Sequence, residues 1–168
     1  MVDFAQLVEA ESRGLVAAVT AIVGDRHRAE EIVQDAFERC YRRWRRVSGL
    51  DKPGAWVRRV AINAAISTTR RTSSERRAIE RLGAHPPPAS TTSSPGDPLR
   101  SLEDAGVWAV VRSLPSDQAS AIALRYGADL SIDEVAATLE ISASAAKSLL
   151  HRGRAALRVS PTLRSYAE

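Results

Sequence analysis

"SIDEVAATLEISASAAKSLLHRGRAALR" occupies residues 131–158, and its spacing decides the fold. Ser131 followed three residues later by Glu134 matches a capping box, in which the two side chains satisfy N–H groups that open a helix. Val135, Ala136 and Leu139 then mark one face of a short helix. "EIS" (140–142) leaves room only for a tight connection, and Ser142 is suited to cap a final helix. That helix carries Ala146, Leu149, Leu150, Gly153, Ala156 and Leu157 at helical spacing. A short helix, a three-residue turn and a longer helix form the helix-turn-helix pattern. The last helix is basic, with Lys147, His151, Arg152, Arg154 and Arg158 and no acid from 141 to 167. Its first turns, "SASAAKS", are small residues that permit close approach to base edges, within reach of Ser144, Lys147 and Ser148. Lysine and arginine also grip phosphates, which adds affinity without sequence information.

Upstream, Leu99, Leu102, Val107, Val110, Val111 and Leu114 form one helical face. "LPSDQ" (114–118) ends it and offers Ser116 as the next N-cap. Ala119, Ile122, Ala123 and Tyr126 continue a new face, which Gly127 closes. Residues 84–98, "AHPPPASTTSSPGDP", hold five of the eight prolines and no hydrophobic residue larger than alanine. Such a segment cannot bury enough surface to fold alone and is expected to be a flexible linker. It divides the chain into units 1–83 and 99–168. Fully extended, it reaches at most ~50 Å.

The first unit also reads as helices. Phe4, Leu7, Val8, Leu15, Val19 and Ile22 share a face, Gly24 stops that helix, and Asp25 caps the next. Ala29, Ile32, Val33, Ala36, Phe37, Cys40 and Trp44 make the second stripe. "SGLDKPG" (48–54) is a loop, and Pro53 suits the first turn of a third helix. With no strand-length alternation, the fold class expected is all-α, two small helical domains joined by the linker.

Composition narrows the function. One cysteine, Cys40, rules out an internal disulfide and a zinc cluster, and a lone thiol fits a reducing cytoplasm. The N-terminal stretch has acids and no long apolar run, so no signal peptide is expected, and nothing approaches the ~18 apolar residues of a membrane span. The net charge of +4 is unevenly spread. Residues 1–38 carry −5, 39–81 carry +10, 97–140 carry −5 and 141–168 carry +4. Two basic blocks, each following an acidic one, suggest two contacts with a polyanion. His27, His85 and His151 have no histidine or cysteine partner at helical spacing, and no phosphate loop or nucleophile motif is present. Neither catalysis nor a metal or other cofactor is expected.

The first basic block contains "WVRRVAINAAISTTRR" (56–71), with four arginines and no acid. Its stripe of Trp56, Val57, Val60, Ala61 and Ala64 packs inward, with Trp56 mainly core. Arg58, Arg59, Asn63, Ser67, Arg70 and Arg71 are therefore expected to project mostly outward. Asn63 and Ser67 are i, i+4 neighbours. An amide and a hydroxyl flanked by guanidiniums suit a base edge with adjacent phosphates.

"GDRHRAEEIVQDAFERCYRRWRRV", "PGAWVRRVAINAAISTTRR" and residues 114–158 together resemble the extracytoplasmic-function (ECF) sigma factors of bacterial RNA polymerase, in order and over nearly the whole chain. The resemblance implies a region 2 domain, a linker that threads the polymerase towards its RNA exit, and a region 4 domain. It implies that "AEEIVQDAFERCYRRW" docks on core RNA polymerase, with Glu31, Gln34, Asp35 and Arg39 as candidates. It implies that "LDKPGAW" captures a flipped base of the −10 element. Trp56, Arg58, Arg59, Asn63, Ser67, Arg70 and Arg71 would melt, read and hold that strand. Ser144, Lys147, Ser148, His151, Arg152 and Arg154 would contact the −35 element. An anti-sigma factor is a common partner in the family. Four departures stand out: Ser67 where the family usually has aspartate, Glu140 for a common glycine, Ala145 and Ala146 for Thr-Val, and Leu149 for a common arginine. One lost base contact costs ~1–3 kcal/mol. Two other classes of protein fit this sequence less well. A stand-alone helix-turn-helix regulator leaves 1–83 unexplained. A nuclease needs clustered carboxylates in a basic region, where 39–81 offers only Asp51, Glu75 and Glu80.

Overall fold

The computed structural model describes residues 3–83 and 98–161, with backbone alone over 98–105. Helix α1 (Phe4–Val23) begins with the Gln6 side chain accepting from the Asp3 N–H at 3.3 Å. It ends at Gly24, whose φ of 79° lets its N–H return to the Thr20 carbonyl at 2.8 Å. Asp25 then caps α2 (Arg26–Arg42) by accepting from the Arg28 N–H at 3.0 Å, and the expected stripe from Ala29 to Cys40 is buried. The stripe does not run unbroken to Trp44. The chain leaves helical geometry at Arg43, and Trp44 opens a one-turn helix, α3 (Trp44–Val47). That break turns the Trp44 ring edge-on to Phe4 at 5.3 Å between centroids.

Pro53 is the first residue of α4 (Pro53–Arg81), as its fixed φ favours. This helix runs 29 residues, roughly 44 Å, well beyond the arginine-rich stretch. Its first half is buried at Val57, Ala61, Ile62 and Ala65, whereas residues 70–78 are exposed on every side.

The second unit comprises α5 (Pro98–Ser113), α6 (Ser116–Ile122), α7 (Ile132–Leu139) and α8 (Ala143–Val159). The proposed linker lies outside the described residues, apart from Pro98 at the start of α5. Two expectations are corrected here. Ser116 is not an N-cap: Pro115 holds that position, and the Ser116 hydroxyl accepts instead from Arg70 at 3.2 Å. Tyr126 does not continue the buried face. Helix α6 widens into a π-helical turn (Ala123–Gly127), which accommodates an extra residue and shifts the register, leaving Tyr126 half exposed. The capping box at Ser131 and the Ser142 cap are both formed.

The two units share one apolar core. Leu15, Val19 and Ile62 from the first join Val111, Leu124 and Val135 from the second in a single buried cluster. Helix α1 packs on α5 and on the π-helical turn, and α4 packs on α7. Small residues allow this approach: a Cβ on Gly127 would meet the Ala18 Cα at 3.2 Å, and one on Gly14 would meet the Ala128 carbonyl oxygen at 3.3 Å. No described helix is long and apolar enough to cross a membrane.

Candidate nucleic-acid interface

Helix α8 holds its polar candidates in the open. The Ser142 hydroxyl accepts from the Ala145 N–H at 3.1 Å, which fixes the start of the helix. Ala146, Leu150 and Gly153 face inward. Gly153 is needed there because a Cβ would sit 3.0 Å from Ile122 Cγ1 of α6. With that face anchored, Ser144, Lys147, Ser148, His151, Arg152 and Arg154 are all exposed. Lys147, Ser148, His151 and Arg152 line one open depression. Leu149, where a family arginine was expected, is half buried and packs on the core, so its apolar side chain is used inward.

Helix α4 is different. Asn63 and Ser67 are exposed one turn apart, and Arg70 and Arg71 are exposed beyond them. Trp56 is half buried against the core, as expected of it. Arg58 overturns the expectation of outward projection: it is only 5% exposed. Its Nη1 lies 3.3 Å from Glu11 Oε2 of α1 and 3.7 Å from Glu134 Oε1 of α7. The periodicity of α4 places Arg58 beside the apolar stripe, and packing of α7 closes over it. Arg59 is half buried and ion-paired with Glu140 in the helix-turn-helix turn. Arg71 pairs with Glu75 of its own helix at 3.0 Å.

The electrostatics around Arg58 are unequal. Burial raises the Glu11 pKa above its ordinary value; Arg58 opposes this and Glu134 adds to it. Glu134 moves the other way, held down first by the Ser131 backbone N–H that it accepts in the capping box. Glu11 thus loses more from desolvation than it gains from its cation, the usual result when a charge leaves water. Gly54 makes room for the Glu11 carboxylate, which meets the position a Cβ would take.

Glu31, Gln34, Asp35 and Arg39 are exposed on α2. Glu31, Asp35 and Arg39, with Arg28, line a groove whose opposite wall is Val60, Ala64 and Thr68 of α4. Gln34 lies off that groove. Glu31 is engaged locally, with Arg28 at 3.4 Å and His27 at 3.7 Å. Sequence reasoning missed Glu11, Glu134 and Arg112 as partners of the other unit. The only hint was Glu140, a carboxylate where a glycine was expected.

Each of the two helical units presents a helix with exposed basic side chains. Residues 7–75 match the family model for Sigma-70 region 2, and residues 106–157 match that for Sigma-70, region 4. An RNA polymerase sigma-E factor of Streptomyces avermitilis is 30% identical over 158 residues, covering 94% of this chain and 84% of that protein. The ECF RNA polymerase sigma factor SigW of Bacillus subtilis is 28% identical over 162 residues, covering 92% and 87%. The sigma factor RpoE of Bartonella quintana, solved with the anti-sigma factor NepR, shares the fold with a TM-score of 0.72 at 21% identity, covering 96% of this chain and 97% of that one. The chain belongs to the sigma-70 family of RNA polymerase sigma factors, in its ECF group.

Proposed function

We propose that this chain docks on core RNA polymerase through the α2 face bearing Glu31, Gln34, Asp35 and Arg39, and carries it to promoters by two DNA contacts. The first contact is the face of α4 around Asn63 and Ser67, with Trp56 and the arginines Arg59, Arg70 and Arg71, on the unpaired −10 strand. The second is α8, with Ser144, Lys147, Ser148, His151, Arg152 and Arg154, on −35 duplex. The observation that carries this is the pairing of an exposed Asn63–Ser67 patch on one unit with an exposed basic recognition helix on the other.

Each contact is weak alone. A single module buries only ~600–1,000 Å² on DNA, and its phosphate contacts are strongly salt-dependent. Tethering the two and mounting them on polymerase raises the effective concentration of the second once the first is bound. Extruding a −10 base costs a few kcal/mol, and a basic groove holds the freed strand by its backbone. Phosphodiester formation belongs to the polymerase, so the chain needs no catalytic group of its own and works in the cytoplasm beside its enzyme. An anti-sigma factor is a further partner of the kind seen with RpoE of Bartonella quintana.

The test is transcription in vitro from a genomic fragment library by core RNA polymerase, with and without the chain. Discrete start sites that appear only with the chain are expected, and their alignment gives both promoter elements. Specific duplex binding by the chain alone, with no start sites, would favour a stand-alone helix-turn-helix regulator.

A further inference from the structure

Beyond residue 75, where the match to Sigma-70 region 2 ends, α4 continues to Arg81 with every side chain but Ile79 exposed. A short helix that buries nothing is marginal by itself. Here the buried first half of α4 nucleates it and carries it outward as a projecting rod.

The rod is not evenly polar. Asn63, Ser67, Arg70, Ser74, Arg77 and Arg81 recur at alternating steps of four and three residues, and all six are exposed. At 3.6 residues per turn they fall within an arc of about 80° along one side of α4. That stripe holds three arginines and no acid. Glu75 and Glu80 stand roughly 100–120° around the helix from its centre line. Glu75 is engaged there with Arg71. Among the described residues Arg77 and Arg81 form no ion pair.

We infer that this stripe is one continuous DNA track, in which Arg77 and Arg81, with Ser74 between them and the −10 contact, hold phosphates of the duplex adjoining the −10 element on its −35 side. The inference rests on the sigma reading given above and carries the α4 contact past the residues assigned there. Opening must run from the −10 element to the start site, so the DNA on that side is unpaired. The nearest duplex therefore lies on the −35 side. From Ser67 to Arg81 the helix rises about 21 Å, the length of roughly six base pairs. A protein partner would find no apolar residue to bury on the stripe, whereas a polyanion meets cations at fixed spacing. Guanidiniums on phosphate add affinity without sequence information. That suits this chain, because α8 turns Leu149 to the core where an arginine was expected.

The full chain carrying both Arg77→Gln and Arg81→Gln tests this. Both side chains are exposed and glutamine is a good helix former, so the fold should be unchanged. The probe is a promoter fragment recovered in the transcription test. Retention of the holoenzyme on it should weaken about ten-fold, and the slope of log affinity against log salt should fall by about two. On the −10 strand alone, with no duplex beside it, variant and wild type should be retained equally. Arg76→Gln, about 140° around the helix from the stripe, should leave the slope unchanged. An unchanged slope in the double variant overturns the track. An equal loss on the isolated strand overturns it too, because both arginines would then meet unpaired DNA. So does an equal loss with Arg76→Gln, which would make the effect one of net charge. Weaker binding to core polymerase without DNA would make the stripe a polymerase contact instead. Absence of promoter-specific retention by the wild-type holoenzyme would overturn the sigma reading, and the track with it.

Discussion

Helices α4 and α8 are both amphipathic and rich in cations, yet among the described residues only α4 holds some of them in ion pairs. Among the described residues, Lys147, Arg152, Arg154 and Arg158 of α8 form no ion pair and are exposed. On α4, Arg58, Arg59 and Arg71 each have a carboxylate partner. The cause lies in the chain order of charge. No acid falls within a helical turn of α8's cations, whereas α4 carries Glu75 and is faced by an acidic unit. A count of basic residues therefore measures α8's available charge well and α4's poorly.

The contrast makes Arg58 the most sensitive of these positions. Arg58→Met leaves Glu11 buried beside no cation, and should cost about 2–4 kcal/mol in urea unfolding at neutral pH. That is below the figure for a fully enclosed pair because Glu134 is 41% exposed. Arg154→Ala on α8 should leave stability unchanged, since that side chain is exposed. A loss under about 1 kcal/mol for Arg58→Met would mean that the cluster is not closed in solution. Gly153→Val comes next. Its branched side chain must displace Ile122 of α6, and about 1–3 kcal/mol of stability should go with it. Lys147→Ala is smaller and electrostatic. It should weaken promoter retention by the holoenzyme about five- to ten-fold and lower the salt slope by about one. An unchanged slope would show that Lys147 meets no phosphate.

What could be read from the chain follows the same division. Local signals were sufficient wherever one short segment settles its own geometry. Gly24, Asp25, Pro53, the Ser131–Glu134 box and Ser142 all stand where the spacing put them. The exposed side of α8 followed from its stripe for the same reason. Ser116 and Tyr126 failed because a proline cap and a π-helical turn change the register by one residue, which periodicity does not register. Arg58 failed for a longer-range reason. Its burial is decided by α7, some 75 residues later in the chain, and by Glu11 of α1. A pattern within α4 holds no trace of either. Glu140 was noticed only as a departure; its partner, Arg59, became visible once α4 and α7 were seen to pack together.

The smallest expected effect separates the two carboxylates that share Arg58. Glu11 has a raised pKa, so above about pH 4.5 the folded chain holds a proton that the unfolded chain has released. Stability from Glu11 is therefore complete below that value and falls as pH rises through its folded pKa. Glu134 has a lowered pKa, so its contribution is complete above about 4.5 and falls as pH drops through its folded pKa. Glu11→Gln should flatten the stability curve on the higher side of pH 4.5, and Glu134→Gln on the lower side. Glutamine keeps an acceptor for the Ser131 N–H, so the cap of α7 survives the second change. Thermal unfolding of wild type and both variants from pH 3.5 to 6.5 would read the difference as a shift of at most a few degrees. Flattening on the same side in both variants would mean that the two groups titrate as one unit. In that case the burial of Glu11, and not the capping box of Glu134, would set the behaviour of the pair.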